Sequence, residues 1–420
     1  MRLFTLAAAL LVSTGVQAAD VTINYWSMWN QNEPIADVIE AAITEFETAN
    51  PTIDVVVNWA GRDVRKLILP ALASGQSIDV VENGNDWLMN PDHAPNWLPI
   101  QDYVNAPGPD GAPALADEII APLLNQYAEN GELRVVPTQP FAVVYFYNQD
   151  HFEQAGITSV PTTWAEFIEA GKALRAAGFD PVTIDPDAYL AINFGYHALR
   201  ALGSCDALHE VITDRTGEAW KQPAIVAMAQ DIVDARAADL YSAHLEGNRF
   251  PAGQQDVALG VASMMVNGTW LPNEVAETAG PDFRWGSFSY PAVTGGAGDT
   301  GDIMMGAQAL AITKDSAHPD EAFALIRHLM SKSVHEKLVA DAGVTSSRLD
   351  VEWPANIAGA REAVLEAENA IGWNCNISSA GEVVGNVVVP TFGELLYGKL
   401  DAQAYADAMA ERSASFWSTR

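Results

Sequence analysis

The apolar residues near the start of the chain change their spacing in a regular order. Three strand-like runs are found, at 21–26, 53–59 and 78–81. Between them, apolar residues recur at helical spacing behind Pro34 and again from Val64. This β-α-β-α-β order predicts a parallel sheet with right-handed crossovers. Because ligands of such sheets bind beyond the carboxyl ends of the strands, we expect a site in the loops 27–33, 60–63 and 82–87.

The middle of the chain predicts a passage between two lobes. Strand-like runs at 132–136 and 141–147 flank Pro137-Thr-Gln-Pro140. Prolines on both sides favour a crossing over a tight hairpin. Beyond it, Thr163-Trp-Ala-Glu166 is a capping box that predicts a helix start. Later strands are predicted at 262–266, 285–289 and 308–313, and the last third is helical.

Composition supports two lobes of a globular protein. A single core stops growing at roughly 250–300 residues, and this chain has 420. Its 49% hydrophobic and 18% charged residues are typical of folded chains. The formal net charge of −32 disfavours binding to nucleic acids or to anionic lipid surfaces.

The first 18 residues have the pattern of a secretory signal peptide. Arg2 precedes an apolar run from Leu3 to Val12, and Val16-Gln-Ala18 fits a small-x-Ala cleavage signal. No later stretch approaches the ~20 apolar residues of a spanning helix. We therefore predict cleavage after Ala18, location in the periplasm and no stable membrane insertion.

The chain contains two cysteines, Cys205 and Cys375. Export permits a disulfide between them, and their polar, turn-rich surroundings favour it. Two buried free thiols far apart are the alternative. Two cysteines are too few to hold the fold together, so stability must come from the core.

No motif predicts catalysis or a cofactor. Gly296-Ala-Gly-Asp-Thr-Gly301 matches G-x-G-x-x-G, but it precedes a strand-like run instead of opening a helix, which indicates a flexible loop. The chain has no P-loop, no G-x-S-x-G and no H-E-x-x-H, and its eight histidines are scattered. We expect no metal, cofactor or catalytic residue, although a pair of glycosidase carboxylates has no diagnostic spacing in sequence.

Twelve tryptophans are many for this length, and several fall in loops after predicted strands. Trp29, Trp270 and Trp373 have amide or hydroxyl residues beside them. Apolar faces next to hydrogen-bonding groups suit a sugar, which has C–H faces for stacking and hydroxyls for hydrogen bonds. Arg62 and Asp86 would add charge-assisted hydrogen bonds, with a surface ion pair as the alternative role.

Seven segments carry a family resemblance when they are read in order. They are YWSMWN, FETANPTIDV, LPALASGQSIDVV, GELRVVPTQPFAVVYFYNQDHFEQAGI, PTTWAEF, DVALGVASMMVNGTW and ALAITKDSAHPDEAFALIRHLMS. In this order the chain resembles the family 1 extracellular solute-binding proteins, the periplasmic sugar receptors of ABC importers. The resemblance covers nearly the whole mature chain, and YFYNQD and VNGTW are its most specific parts.

The resemblance implies an α/β, two-lobed periplasmic-binding-protein fold with discontinuous lobes joined by hinge strands. The first lobe would comprise 19–137 and 288–341, and the second 138–287 and 342–420. The implied crossings lie near Pro137, Ser287 and Thr345.

The resemblance also implies a ligand site between the lobes. The first-lobe contacts would be Trp29, Asn30, Arg62, Asn83 and Asp86. In the second lobe, Trp270 matches the family's sugar-stacking aromatic and Tyr145 lies on the strand leaving the hinge, with Asp302 and Trp373 as further candidates. Asn83 stands where the maltose-binding relative has a Trp, and its late-helix aromatic has no clear equivalent, which argues against maltodextrin specificity.

We therefore expect a monomeric receptor, not an enzyme, that captures a mono- or oligosaccharide or a polyol and delivers it to an inner-membrane ABC permease. The alternatives are a secreted carbohydrate-active hydrolase and a receptor of the same fold for a polyamine or a sugar phosphate. A polyamine site would need several carboxylates around aromatic rings, and a phosphate site would need more basic residues than Arg62.

Overall fold

The computed structural model describes residues 20–126, 128–129 and 132–420, so the predicted signal peptide, 1–18, lies outside the described residues. The strands are β1 (Val21–Ser27), β2 (Ile53–Trp59), β3 (Val80–Gly84), β4 (Ala128–Glu129), β5 (Glu132–Leu133), β6 (Val136–Asn148), β7 (Asp180–Val182), β8 (Ala262–Gly268), β9 (Trp285–Phe288), β10 (Asp302–Ile312) and β11 (Asn369–Ile371). The helices are α1 (Pro34–Ala49), α2 (Val64–Ala73), α3 (Asn85–Leu88), α4 (Gln101–Asn105), α5 (Ala121–Gln126), α6 (Gln149–Gln154), α7 (Trp164–Ala176), α8 (Pro186–Leu202), α9 (Cys205–Thr213), α10 (Pro223–Ala237), α11 (Ala252–Ala258), α12 (Leu271–Glu274), α13 (Ala276–Ala279), α14 (Pro319–Leu329), α15 (Lys332–Ala342), α16 (Ala358–Leu365), α17 (Val389–Leu396) and α18 (Ala402–Ser418).

One mixed sheet joins strands from both halves of the chain. Its order is β2-β1-β3-β10-β6-β8-β7, with β9 beside β6 and β11 beside β10. β1 pairs in parallel with β2 and β3, as the β-α-β-α-β pattern predicts. β10 pairs antiparallel with both β3 and β6, so a strand late in sequence lies at the centre of the sheet.

Local sequence signals set the ends of several helices. α1 begins at Pro34, whose fixed φ and missing N–H suit a first helical position. α7 begins with the predicted capping box: the Thr163 hydroxyl accepts from the Glu166 N–H, and the Glu166 carboxylate accepts from the Thr163 N–H. α8 ends at Gly203, whose φ of 88° lies in the left-handed region that favours glycine.

Buried apolar side chains form two clusters. The first is built around β1 to β3, α1 and α14, and the second around β6, β8, α7, α8, α10 and α18. The two-lobed α/β fold is thereby confirmed. The exact lobe boundaries stay a prediction. Phe288, Tyr290 and Val293 belong to the segment 288–341 that the resemblance assigns to the first lobe, but they pack in the second cluster.

The chain passes between the two clusters on β6 and β10. Each strand has side chains in both: Val136 and Ala309 in the first cluster, Ala142 and Met305 in the second. The crossing near Ser287 stays a prediction; the neighbouring residues of β9, Trp285 and Phe288, pack in the second cluster.

The predicted run 141–147 and both prolines belong to one 13-residue strand, β6, whereas the run 132–136 contains β5 and only the first residue of β6. Proline lacks the N–H that a ladder needs, and the β6–β10 register shifts between Ala307 and Ala309. The Thr138 hydroxyl donates to the Gln308 carbonyl at this irregularity, at 2.9 Å. The segment that contains Ser347 contacts β6 at the same point, because the Ser347 hydroxyl donates to the Pro137 carbonyl at 2.7 Å.

A disulfide joins Cys205 and Cys375, which are 170 residues apart in sequence. It ties the start of α9 to the short 3-10 helix Trp373–Ala380. Among the helices described, none combines the length and the apolar character that a membrane crossing demands.

Candidate functional site

The buried carboxylate of Glu82 organises the edge where β1 and β3 end. It accepts hydrogen bonds from the Tyr25 hydroxyl at 2.5 Å, the Ser27 hydroxyl at 2.8 Å and Trp29 Nε1 at 2.7 Å. Burial raises the pKa of Glu82, and these hydrogen bonds oppose that shift. Because its ring N–H is anchored, the Trp29 indole has a fixed orientation at the end of β1.

Arg62 covers the Trp29 indole. Its guanidinium carbon lies 4.5 Å from the ring centroid, and its Nη atoms each donate to the Glu33 carboxylate at 3.0 Å. The Asn30 N–H donates to the same carboxylate at 3.0 Å. Burial raises the pKa of Glu33, but the hydrogen bonds from Arg62 and Asn30 outweigh burial, and the net shift is downward. The structure thus brings Trp29, Asn30 and Arg62 together.

A second polar group converges on the backbone of Gly84. Arg65 Nε donates to Asn83 Oδ1 at 2.7 Å, and Arg65 Nη2 donates to Asp86 Oδ1 at 3.2 Å. A side chain at Gly84 would start 2.5 Å from Asp86 Oδ1, 2.7 Å from Arg65 Nη2 and 3.6 Å from Gln308 Oε1, so the convergence requires glycine. Asn83 Nδ2 and Gln308 Oε1 are buried without a partner among the described residues, and both retain hydrogen-bonding capacity.

The bare backbone of Gly306 lies where the two lobes meet. A side chain there would start 2.6 Å from the Phe141 ring and 2.8 Å from Asn85 Oδ1. Asn85 Oδ1 also accepts from the Ala307 N–H at 3.1 Å. Asn85 follows β3 in the first lobe, and Phe141 leads along β6 into the second. A first-lobe residue, Asn85, and a second-lobe residue, Phe141, therefore both lie beside Gly306 of β10. We call the polar side of the site the first-lobe wall and the aromatic side the second-lobe wall.

Three aromatic rings form the second-lobe wall. The ring centroids are 5.7 Å apart for Trp270 and Trp373, 5.8 Å for Phe141 and Trp270, and 5.9 Å for Phe141 and Trp373. All three side chains are partly exposed. This aromatic cluster, Phe141, Trp270 and Trp373, leaves apolar ring surface available to a ligand.

The Trp270 indole is supported from behind. Its ring lies on Gly268, where an added side chain would start 2.2 Å from ring carbons. Trp270 Nε1 donates to the Tyr189 hydroxyl at 3.3 Å, and that hydroxyl donates to Gln254 Oε1 at 3.0 Å. Asn267 Nδ2 donates to the same Gln254 oxygen at 3.0 Å. Neutral hydrogen-bonding groups therefore fix the indole orientation.

Two candidates from the sequence lie away from this site, which corrects their proposed roles. Tyr145 is 2% exposed and stacks on Phe288 in the second core, at 5.2 Å between centroids. It shares a face of β6 with Phe141 but lies four residues further along, or roughly 13 Å. Asp302 is 8% exposed at the start of β10, where its carboxylate accepts from Asn369 Nδ2 at 2.8 Å. Both side chains serve packing between elements of the second lobe.

The charged groups of the site are paired with one another. Arg62 bonds Glu33, and Arg65 bonds Asp86, so each cation has its carboxylate. In the part of the chain that is described, no group of three or more His, Cys, Asp and Glu side chains is placed to hold a metal ion.

Sequence reasoning missed several residues that complete or support the site. They are Glu33, Arg65, Glu82, Asn85, Phe141, Tyr189, Gln254 and Gln308. Glu82 carried a readable signal, since a carboxylate at the end of an apolar strand must find hydrogen-bond donors. Phe141 carried another, because an aromatic residue directly follows Pro140 at the predicted crossing. The others are brought in by contacts between distant segments.

Comparisons with known proteins agree with this architecture. The profile of the family described as bacterial extracellular solute-binding protein matches residues 31–336. A binding protein of Brucella abortus (strain 2308) is 22% identical over 354 residues, covering 80% of this chain and 77% of that protein. Unliganded RafE from Streptococcus pneumoniae is 21% identical with a TM-score of 0.73, covering 95% of this chain and 98% of that one. RafE in complex with raffinose is 22% identical with a TM-score of 0.62, covering 94% and 99%. The chain belongs to the bacterial extracellular solute-binding proteins.

Proposed function

We propose that this protein is an exported receptor that binds a neutral sugar between its lobes and delivers it to an inner-membrane ABC permease. The aromatic cluster beside the polar first-lobe wall carries the proposal. Aromatic faces stack on the C–H faces of a sugar ring, and amide and carboxylate groups bond its hydroxyls. On the first-lobe side, the exposed side chains of Arg62 and Asp86 offer polar atoms to a ligand, whereas Asn83 is fully buried in this arrangement.

The pairing of charges favours an uncharged ligand. Arg62 and Arg65 each have a carboxylate partner, so a phosphate that approached either guanidinium would be repelled by the neighbouring carboxylate. A polyamine would compete with an arginine for Glu33 or Asp86. A sugar or polyol hydroxyl can bond the outer atoms of these pairs without separating them.

The three chain passages between the lobes support a hinge mechanism. β6, β10 and the segment containing Ser347 meet at the irregular ladder beside Pro137, where Pro137 and Pro140 have no N–H to donate. A ligand that contacts both walls favours the closed arrangement, because its contacts to the two lobes are complete only there.

The similar solved structures support both the ligand class and the motion. RafE has been solved with raffinose bound, and this chain is more similar to the unliganded RafE than to the complex, with TM-scores of 0.73 and 0.62. That difference is expected for an open receptor whose lobes change their relative orientation on binding.

A thermal-shift panel tests the proposal. The panel comprises glucose, raffinose, other short oligosaccharides, sorbitol, spermidine and glucose phosphate. A ligand at 100 times its dissociation constant should stabilise the protein by about 2.7 kcal/mol. Stabilisation by a neutral sugar or polyol, with stoichiometric binding and no products in calorimetry and chromatography, is the expected result. Stabilisation by spermidine or glucose phosphate alone, or turnover of an oligosaccharide, would overturn it in favour of the alternative receptor or of a hydrolase.

The export step has a separate test. Residues 1–18 are proposed to be removed, because Val16-Gln-Ala18 provides the cleavage signal. The mass of the protein from a periplasmic extract should equal that of one chain that starts at Ala19. A mass that retains Met1 in that extract would contradict the cleavage site.

A further inference from the structure

Trp373 differs from the other two rings of the aromatic cluster in how it is held. Phe141 lies within β6, and Trp270 lies two residues after the end of β8, so the central sheet places both. Trp373 instead begins the 3-10 helix Trp373–Ala380, which lies outside the sheet and follows the short strand β11. Its contact with Trp270 therefore depends on how this helical segment is fixed.

The disulfide fixes this segment two residues after Trp373. Cys375 is 3% exposed and is bonded to Cys205, the first residue of α9. α9 is itself well anchored, with Leu208 fully buried in the second core and with the Ser204 hydroxyl capping its start. The bond thus connects the Trp373 segment to a rigid element of the second lobe.

The backbone at Cys375 shows that the segment needs such a constraint. Its φ is 53°, which is in the left-handed region that residues other than glycine rarely adopt. Such a conformation persists when the surrounding structure enforces it. Besides the disulfide, the buried side chain of Ile377 holds the segment, at 1% exposure.

We propose that the Cys205–Cys375 bond is a positioning device for the ligand site, because it holds the Trp373 indole against Trp270 and Phe141. Breaking the bond releases the strained segment, and Trp373 leaves the cluster while the sheet keeps the other two rings in place. The consequence for sugar affinity rests on the proposed function. The consequence for the geometry of the rings does not.

Circular dichroism of the ligand-free protein tests the geometry. The Trp270 and Trp373 indoles couple electronically and add a paired band to that of Trp87 and Trp97, whose ring centroids are 6.0 Å apart. Trp373→Phe should remove the contribution of the Trp270–Trp373 pair, which is measured as a difference spectrum. Cys205→Ser/Cys375→Ser should abolish it equally, and adding Trp373→Phe to that variant should change nothing further. Leu174→Ala, at a fully buried position of α7, is the matched control, because it destabilises the second core without touching α9 or the bond and should retain this contribution. Retention of the Trp270–Trp373 contribution by the double serine variant would overturn the proposal.

A double-mutant cycle tests the effect on binding. The probe is the neutral sugar or polyol that stabilises the wild-type protein most in the panel. Trp373→Ala and Cys205→Ser/Cys375→Ser should each weaken its binding by about tenfold, the range of one aromatic contact. Combining them should cost no more than Trp373→Ala alone. Additive losses would overturn the proposal, because the bond would then act on binding independently of Trp373.

Two arms keep the test decisive. If the double serine variant does not fold, wild-type protein and Trp373→Ala are reduced under native conditions, with far-UV circular dichroism and thiol titration as checks. Reduction should weaken binding and remove the Trp270–Trp373 contribution in the wild type but leave the affinity of Trp373→Ala unchanged. If no sugar or polyol binds, the proposed function fails, whereas the ligand-free band still decides whether the bond positions Trp373.

Discussion

The two walls of the site are built on opposite principles. On the first-lobe wall, charged groups are already engaged within the protein: Glu82 anchors Trp29, Arg62 bonds Glu33, and Arg65 spans Asn83 and Asp86. The second-lobe wall presents apolar rings supported by neutral groups. Stacking on rings depends weakly on which hydroxyls a sugar carries, whereas fixed polar groups discriminate between hydroxyl arrangements. The second lobe should therefore provide most of the affinity and the first lobe most of the selectivity.

Replacing Trp270 should give the largest loss of affinity. Trp270→Ala removes the ring that contacts both other members of the aromatic cluster, and we expect a loss of about 2 kcal/mol, or roughly 30-fold in the dissociation constant. Calorimetric titration with the panel sugar measures it. Trp417→Ala, a partly exposed tryptophan in α18 of the same lobe, is the control and should bind normally. Equal losses in the two variants would mean that the effect is not specific to the site.

Replacing Glu82 should mainly affect the folded first lobe. In Glu82→Gln, an amide oxygen and an N–H₂ group replace two acceptor oxygens, so at least one of the three donors around position 82 loses its partner. We expect the free energy of unfolding to fall by about 1–2 kcal/mol, with a smaller loss of sugar affinity, measured by urea unfolding and titration. Glu45→Gln, at an exposed first-lobe ion pair, should lower the free energy of unfolding much less than Glu82→Gln does. Affinity loss without any loss of stability would contradict the anchoring role.

The first lobe buries His335, the second lobe buries His151 and His197, and acid should weaken both lobes because burial lowers the pKa of all three. Burial, with a contribution from the Arg348 charge, lowers the pKa of His335 in α15 to about 3, and burial lowers that of His197 in α8 to about 4. The unfolded chain takes up these protons near pH 6.5, so stability is complete above that pH and falls as the pH drops towards the folded values. The slope is at most about 1.4 kcal/mol per pH unit for each histidine.

Urea unfolding of single glutamine variants across this pH window separates the contributions of His197 and His335. His197→Gln and His335→Gln should each remove one share of the slope, whatever their effect on stability at neutral pH. If both variants keep the wild-type slope, other titrating groups rather than these two histidines control the response to acid.

Arg62 should give the smallest effect. Its side chain is 53% exposed, and exposed ion pairs contribute little stability. Arg62→Ala should lower the free energy of unfolding by less than about 1 kcal/mol. It should change the order of the dissociation constants among the panel sugars more than it changes the dissociation constant of the tightest one. Arg284→Ala, at an exposed second-lobe ion pair, should leave the ranking unchanged. A loss as large as that of Trp270→Ala would end the division between an affinity wall and a selectivity wall.

The sequence predicts the parts of this architecture that depend on local patterns. β1, β2 and α1 lie where the apolar spacing places them, and the rule about carboxyl ends of strands groups the loops that contain Trp29 and Arg62. Prediction fails where distant segments decide the outcome. Gln308 lies near Gly84, Arg65 and Asp86 only because β10 pairs with β3. Tyr145 was placed on the correct strand, but the resemblance does not specify how deeply that strand enters the second core.

The central position of β10 has a consequence for how the chain folds. Both cores contain side chains of this strand, and the second core also needs residues as late as Ala410. Neither lobe can therefore finish folding on the amino-terminal part of the chain alone, and long-range pairing of this kind is slow. For a protein that is proposed to be exported, slow folding is useful, because a chain that has not yet formed its two cores can still cross a membrane in an extended state.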